Sequence, residues 1–291
     1  MKIFIICLFM SALSSAWVYG DSGHQQQYLL SPTKAVKINA FGKVEIQGGQ
    51  QNQLTLIAAQ DISPYIEITA EQGHLSITDT RLDSFWFQAQ QLWWRLLDRN
   101  LDQQPITYQL TLATPENITL NGHLATKIQR LNTPNLSIYA NGLGEILLEN
   151  LHHSQLTLAL NGKFSTRVDN LSTDTLEVSF NGTGDLKTNN LFTDQLHASI
   201  NGSIDSHLAG QTTDLHLQMD GSSKCQGQGF STDRAYVLLS DNSQLTLKVN
   251  QQLHSTSEDE SRVFYYGNPE TQVKGNAITH LVGGYQAKIY Y

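Results

Sequence analysis

The sequence predicts an all-β protein: a single-domain, right-handed parallel β-helix with about 20 residues per coil, plus a short aromatic-rich helical insert. Three observations carry that expectation. Asn-Gly recurs at Asn121, Asn141, Asn161, Asn181 and Asn201, 20 residues apart each time, and Asp220-Gly221 follows 19 residues later. A fixed period near 20 marks stacked units that bury one another's apolar sides. Apolar residues also stand five, three and one positions before each Asn: Leu136, Ile138 and Ala140, then Leu156, Leu158 and Leu160, then Leu176, Val178 and Phe180. Alternation of this kind is a strand with one buried face. Finally, Asn-Gly is a common hairpin turn, but hairpins do not explain identical columns every 20 residues. Stacked coils do.

The elements follow in order. Residues 1–20 have the form of a secretory signal: Lys2, an apolar run from Ile3 to Leu13, and a small-residue exit at Gly20 or earlier at Ala16. Residues 21–34 are polar and expected to be loose. The solenoid is expected from 35 to 283. It opens with a strand–corner–strand unit at Ala35 to Ile46, with Phe41-Gly42 at its centre. Gln53 to Ala58, Tyr65 to Thr69 and His74 to Thr78 alternate as strands but lie off the 20-residue register, as a terminal cap would. The regular coils occupy 117–250, and 284–291 forms a last strand.

The insert at 81–104 concentrates Phe85, Trp86, Phe87, Trp93 and Trp94. Trp86, Ala89, Trp93 and Leu97 share one helical face. Such an arm either plugs an open end of the solenoid and hides unpaired strand edges, or presents an aromatic patch to a protein, a glycan or the membrane interface. Its five large aromatics are the partner-binding candidates.

Each coil needs a corner at its Asn-Gly pair. Gly accepts positive φ without a Cβ clash. The column Asn121, Asn141, Asn161, Asn181, Asn201 and Asp220 either forms a side-chain ladder along the axis or serves only as turn chemistry. Beyond the corner, Ile146, Leu148 and Leu151 begin a second inward set, followed by a looser return. Cys225 shares an inward column with Thr126, Ile146, Thr166, Leu186, Ser206 and Leu245, and is expected to be a buried, inert thiol. With Cys7 removed in the signal, no intrachain disulfide can form. A net charge of −8 argues against nucleic acid or an anionic membrane as the main partner.

Two outward columns offer functional groups. Glu177, His197 and His216 fall on successive coils, and two imidazoles with a carboxylate can bind zinc. Strand-face side chains run parallel rather than converging, so the expected outcome is a solvated polar ladder, with no metal or cofactor. Glu145, Asp185 and Asp205 share a second column, and paired carboxylates can cleave a glycosidic bond. No basic cluster supports them. The chain has no Gly-x-Ser-x-Gly, phosphate-binding loop or dinucleotide fingerprint.

The unit around Phe41-Gly42, the ladder typified by LSIYANGLGEILLENL at Leu136 to Leu151, and the closing YYGNP at Tyr265 to Pro269 together resemble the head GIN domain of auto-transporter adhesins. Members carry a second Gly two residues after the corner. Gly144 and Gly184 keep it, whereas Lys163 and Ser203 replace it, with Phe164 and Ile204 one position past. The resemblance implies a parallel β-helix, export in a Gram-negative cell and an envelope or surface role; it supplies no catalytic residues. The expected function is an exported, non-catalytic binding, adhesion or structural module whose partner is an envelope protein or glycan. The alternatives are a polysaccharide-acting enzyme using Asp185 and Asp205, or an envelope assembly or stress factor held by its aromatic arm.

Overall fold

A computed structural model describes residues 15–20, 23–59, 61–83, 106–275, 278–282 and 286–290. These residues are all-β, and their fifteen strands join in one hydrogen-bonded sheet system. The regular part is a parallel stack. β8 (Asn117–Gln129) lies on β9 (Asn135–Gly221) at a constant offset of 20, with Asn121 opposite Asn141 and Ile128 opposite Leu148. β9 is one extended run that turns its corners without breaking, and residues 20 apart within it meet side by side: Asn161 Nδ2 donates to Asn141 Oδ1 at 3.1 Å. β10 (Lys224–Leu239) lies parallel on the end of β9, and β11 (Gln244–Ser257) lies on β10.

Each layer therefore has a first face, leading into the Asn corner, and a second face beyond it. The apolar columns point inward on both. Leu156, Leu160, Phe180, Met219, Ala235 and Leu239 are fully buried. The column Thr126, Ile146, Thr166, Leu186, Ser206, Cys225 and Leu245 is buried throughout. Removing a large apolar side chain from water contributes roughly 1.5–3 kcal/mol. No layer can collect that energy alone, because its inward side chains need a layer above and below.

The corners explain the period. Gly162 has φ of 132°, and a Cβ there would lie 2.0 Å from the carbonyl oxygen of Gly142. Both the left-handed backbone and the close approach of the preceding layer exclude any side chain. The return is tighter than expected. Asn150, Asn170 and Asn190 turn it with φ of 53°, 56° and 57°, which Asn tolerates through local hydrogen bonding. A third fastening is a buried Thr column. The Oγ1 of Thr193 donates to the carbonyls of Gln195 at 2.9 Å and Asp174 at 3.2 Å; Thr173, Thr212 and Thr232 repeat the pattern.

Several expectations are corrected. β3 (Ala35–Gly48) does continue the stack, but Asn39-Ala40 takes the corner, opposite Asn121-Gly122, and Gly42 lies opposite Leu124. The second-Gly column holds Leu124, Gly144, Phe164 and Gly184, so Phe164 stands within it rather than one place past. Leu124, Phe164 and Ile204 are buried, large side chains alternating with Gly. Gly23–Leu29, expected to be loose, is strand β2. It is antiparallel to β1 (Ser15–Gly20) on one side and β4 (Gln53–Ala58) on the other. Its run of polar residues, Gln25 to Gln27, hid it; pairing with β4 supplies the order.

The stack is closed at its N-terminal end by reversal of the chain. On the second face, β4 is antiparallel to β7 (Thr107–Leu112), which lies parallel on β3. On the first face, β6 (His74–Asp79) lies parallel on β3 and carries antiparallel β5 (Ile66–Glu71). At the C-terminal end, β12 (Arg262–Tyr266) and then β14 (Ile278–Val282) extend the second face, finished by antiparallel β15 (Gln286–Tyr290). The first face ends on β13 (Glu270–Gly275), parallel to β11. Arg81 to Asp83 belong to a short 3-10 turn. The rest of the expected helical insert, including Phe85, Trp86, Phe87, Trp93 and Trp94, lies outside the described residues, as do residues 1–14 of the expected signal.

Candidate functional site

The outward positions of the first face build a groove. Four residues before the corner, successive layers place Thr157, Glu177, His197, His216, Tyr236, His254 and Gln272 in one row, followed into β13 by strand register. Two residues nearer the corner, the small Ser179 and Ser199 leave the floor open. The space bounded by the row and this floor is about 950 Å³ and runs from Thr157 to Lys274. At a strand spacing of roughly 4.8 Å, seven layers make a trough on the order of 30 Å long.

The sequence placed Glu177, His197 and His216 in this row, and the structure puts them there. It also shows how they are used. The rings of His197 and His216 stack at 4.8 Å between centroids, 16° from parallel. Tyr236 stacks on His216 at 4.8 Å, and His254 on Tyr236 at 5.0 Å. Rings stacked in parallel lie side by side along the row rather than converging on one point. Glu177 is engaged with the preceding layer: Thr157 Oγ1 donates to it at 3.3 Å and Gln155 Nε2 at 3.4 Å. Among the described residues no group of three or more His, Cys, Asp or Glu is arranged to hold a metal ion.

Stacking covers the ring faces and leaves their polar edges outward, so the row displays imidazole nitrogens and a phenol hydroxyl at strand spacing. His197 and His216 are exposed, and Tyr236 is 38% exposed. Beside the row, Arg234 donates through Nη2 to Asp214 at 2.6 Å, and the guanidinium holds the Asp214 carboxyl below the usual carboxylate range. That pair braces two layers next to His216 and Tyr236. Tyr236 keeps the 20-residue step from His216 and was passed over because a phenol is not among the metal ligands sought in that column; His254 was missed because the step from Tyr236 shortens to 18 residues.

The corner residues form a separate row. Asn121 donates to Asn39 at 2.7 Å, Asn141 to Asn121 at 2.9 Å, Asn161 to Asn141 at 3.1 Å and Asn181 to Asn161 at 3.2 Å. Asn201 holds the next corner, and Asp220 accepts from the Ser240 hydroxyl and from Gln218. A second amide row joins Asn150, Asn170 and Asn190. Both rows are fastenings between layers.

The carboxylates weighed for glycan cleavage stand on the second face. Asp185 accepts from Ser165 at 3.0 Å, Asp205 lies across from Lys224, and Glu145 is exposed. Their neighbours are engaged in pairs: Lys127 with Glu149 at 2.8 Å and Arg167 with Asp169 at 2.7 Å. Cys225 is fully buried, and burial pushes its thiol up to about 12. It borders an apolar interior void of about 30 Å³, a small fraction of an ordinary ligand pocket of roughly 300 Å³ or more.

Comparison with known proteins places the chain in a family. The profile described as "Putative auto-transporter adhesin, head GIN domain" matches residues 34–168 and 155–269, so the chain belongs to that family. No curated protein matches it. Among solved structures, a putative adhesin from Parabacteroides merdae is similar at 14% identity and a TM-score of 0.57, over 90% of this chain and 97% of that one. A putative lipid binding protein from Parabacteroides distasonis has 13% identity and the same TM-score, over 90% and 98%. A putative adhesin from the same species has 12% identity and a TM-score of 0.57, over 90% and 98%. At these identities the likeness is one of fold.

Proposed function

We propose that this head GIN domain is an exported, non-catalytic adhesion module of the bacterial envelope whose layers wind as a right-handed parallel β-helix, and that its first face binds an extended glycan. One observation carries the proposal: the His197–His216–Tyr236–His254 row, which lines an open trough with polar ring edges rather than converging on a point. A polyhydroxylated chain suits such a surface. It needs many hydrogen bonds along its length, and Ser179, Ser199, Gln218 and Thr256 add further donors and acceptors to those of the rings. The family name supports adhesion. The interior void of about 30 Å³ gives no support to an acyl-chain ligand.

Export belongs to the same proposal, through the signal-like residues 1–20. Cleavage after Gly20 would remove β1 and leave β2 as the edge strand of the N-terminal cap. The domain would then comprise residues 35–283 with β2 packed on it.

The test is titration calorimetry with polysaccharide extracted from Gram-negative envelopes. The wild-type chain should bind, and the His216→Ala/Tyr236→Ala variant should lose at least roughly tenfold in affinity, about 1.4 kcal/mol, while keeping its thermal midpoint. Equal binding by both chains would refute the groove assignment. Cleavage of the polysaccharide, abolished in Asp185→Ala/Asp205→Ala, would replace it with the enzyme alternative.

A further inference from the structure

The acidic and basic groups around the trough are not used alike. The carboxylates beside the ring row have both oxygens engaged by the protein. Glu177 accepts from Gln155 through one oxygen and from Thr157 through the other. Asp214, two residues before His216 on its strand, accepts from Nε and Nη2 of Arg234. Asp220, at the corner beyond Gln218, accepts from Gln218 through one oxygen and from the Ser240 hydroxyl through the other. Glu258 and Glu270 are exposed near the C-terminal end, and neither lines the trough. The basic groups are the reverse. His197, His216, His254 and Lys274 all line the trough. Among the described residues, no hydrogen bond or ion pair occupies their ring nitrogens or the Lys274 ammonium. Acceptors are satisfied within the face, and donors able to carry positive charge are left over.

Resting on the reading of this trough as a glycan site, we propose that its ligand is acidic: a polyuronate, a sugar chain with one carboxylate per residue, whose carboxylates lie against the imidazole edges and the Lys274 ammonium. A hydrogen bond from an ionised donor to a carboxylate is about twice as strong as a neutral one, so such a chain uses the leftover donors better than a neutral glycan does. The spacing agrees. Rings recur at a strand spacing of roughly 4.8 Å, and the carboxylates of an extended polyuronate recur once per sugar, a length of the same order. Successive layers therefore meet successive sugars, with Ser179, Ser199, Gln218 and Thr256 placed for the hydroxyls. The overall charge of −8 opposes a polyanion as such, so the local excess of free donors has to carry the affinity. Histidine is the side chain type that gains charge between about pH 8 and 5, and a carboxylate at an imidazole edge favours the charged form. Binding therefore takes up protons, and affinity rises as pH falls through that range.

The experiment is titration calorimetry on the full chain with polygalacturonate and with its methyl ester, the same backbone without charge, at about pH 7.5 and about pH 5.5. The acid chain should bind roughly tenfold or more tightly at the lower pH. The ester should bind more weakly than the acid there and show no such dependence. His197→Gln/His216→Gln/His254→Gln keeps polar donors without titratable charge, and should lose the pH response while keeping the thermal midpoint. Lys274→Gln, on an exposed strand, should weaken the acid chain at both pH values and leave the ester unchanged. Equal affinity for acid and ester, or a pH response that survives the triple variant, overturns the acidic ligand and leaves the groove reading standing. So does failure of polygalacturonate to bind a chain that binds envelope polysaccharide. Inorganic polyphosphate bound as tightly as the acid chain would replace the sugar with any polyanion and overturn the proposal too. Acid binding that His216→Ala/Tyr236→Ala leaves unchanged would move the ligand off the trough and sink both readings.

Discussion

The two faces of the stack share corners, period and interior, and differ in what their outward groups do. On the second face charged groups are engaged by neighbours: Lys127 with Glu149, Arg167 with Asp169, and Asp185 with the Ser165 hydroxyl. On the first face the large groups stack ring on ring and turn polar edges outward. A surface whose hydrogen-bonding groups are already paired has little to offer a ligand. One that spends its contacts on stacking keeps donors and acceptors available. The repeat is thus a neutral frame, and the contents of each outward column decide whether a face holds itself or holds something else.

The largest expected effects fall on what the faces share. Phe180→Ala empties a fully buried site beneath the first face and should cost about 3–5 kcal/mol in urea unfolding. Gly162→Ala forces a Cβ to within 2.0 Å of a carbonyl oxygen at φ of 132° and should cost about 2–4 kcal/mol. Neither change should spare one face while disrupting the other; unfolding of one face alone would break the shared frame. Next come changes confined to a face. His216→Ala/Tyr236→Ala should reduce glycan affinity, and Arg167→Ala/Asp169→Ala should leave it unchanged within about twofold. A reversed outcome would move the site to the second face. Asn161→Ala breaks two bonds of the exposed amide ladder, to Asn141 and from Asn181, and should cost about 1–2 kcal/mol.

The smallest effect concerns pH. His153 replaces Thr in the buried Thr column, and burial lowers its affinity for a proton. Its Nδ1 lies 2.6 Å from the carbonyl oxygen of Thr133, and its Nε2 has no partner. The folded state therefore binds this proton less readily than the unfolded chain does. Its contribution is complete above the unfolded histidine value of about 6.5 and declines as pH falls below it. His153→Thr should flatten the stability profile between about pH 5 and 7. An unchanged slope would assign the dependence to other groups.

Much of this was legible in one sequence because the repeat aligns positions with itself. The inward columns, the Asn ladder and the start of the ring row could be read directly. Asn150, Asn170 and Asn190 also recur every 20 residues, yet a return loop was expected there, because Asn without a following Gly is a weak sign of left-handed backbone. The Thr column was hidden by chemistry: a buried hydroxyl looks polar in sequence and is satisfied only through carbonyls of its own and the preceding layer. Asn39-Ala40 was passed over for Phe41-Gly42, since Gly draws attention as a corner and only strand register separates the two. The antiparallel caps carry no period, and their pairing depends on partners far along the chain.

Histidine carbethoxylation read by mass spectrometry, with and without saturating envelope polysaccharide, tests the difference between the faces in one measurement. His197, His216 and His254 line the trough, while His152 and His207 are exposed elsewhere. Protection of the first three with unchanged labelling of the other two is the predicted result. Equal labelling of all five, or protection confined to His152 and His207, would contradict it.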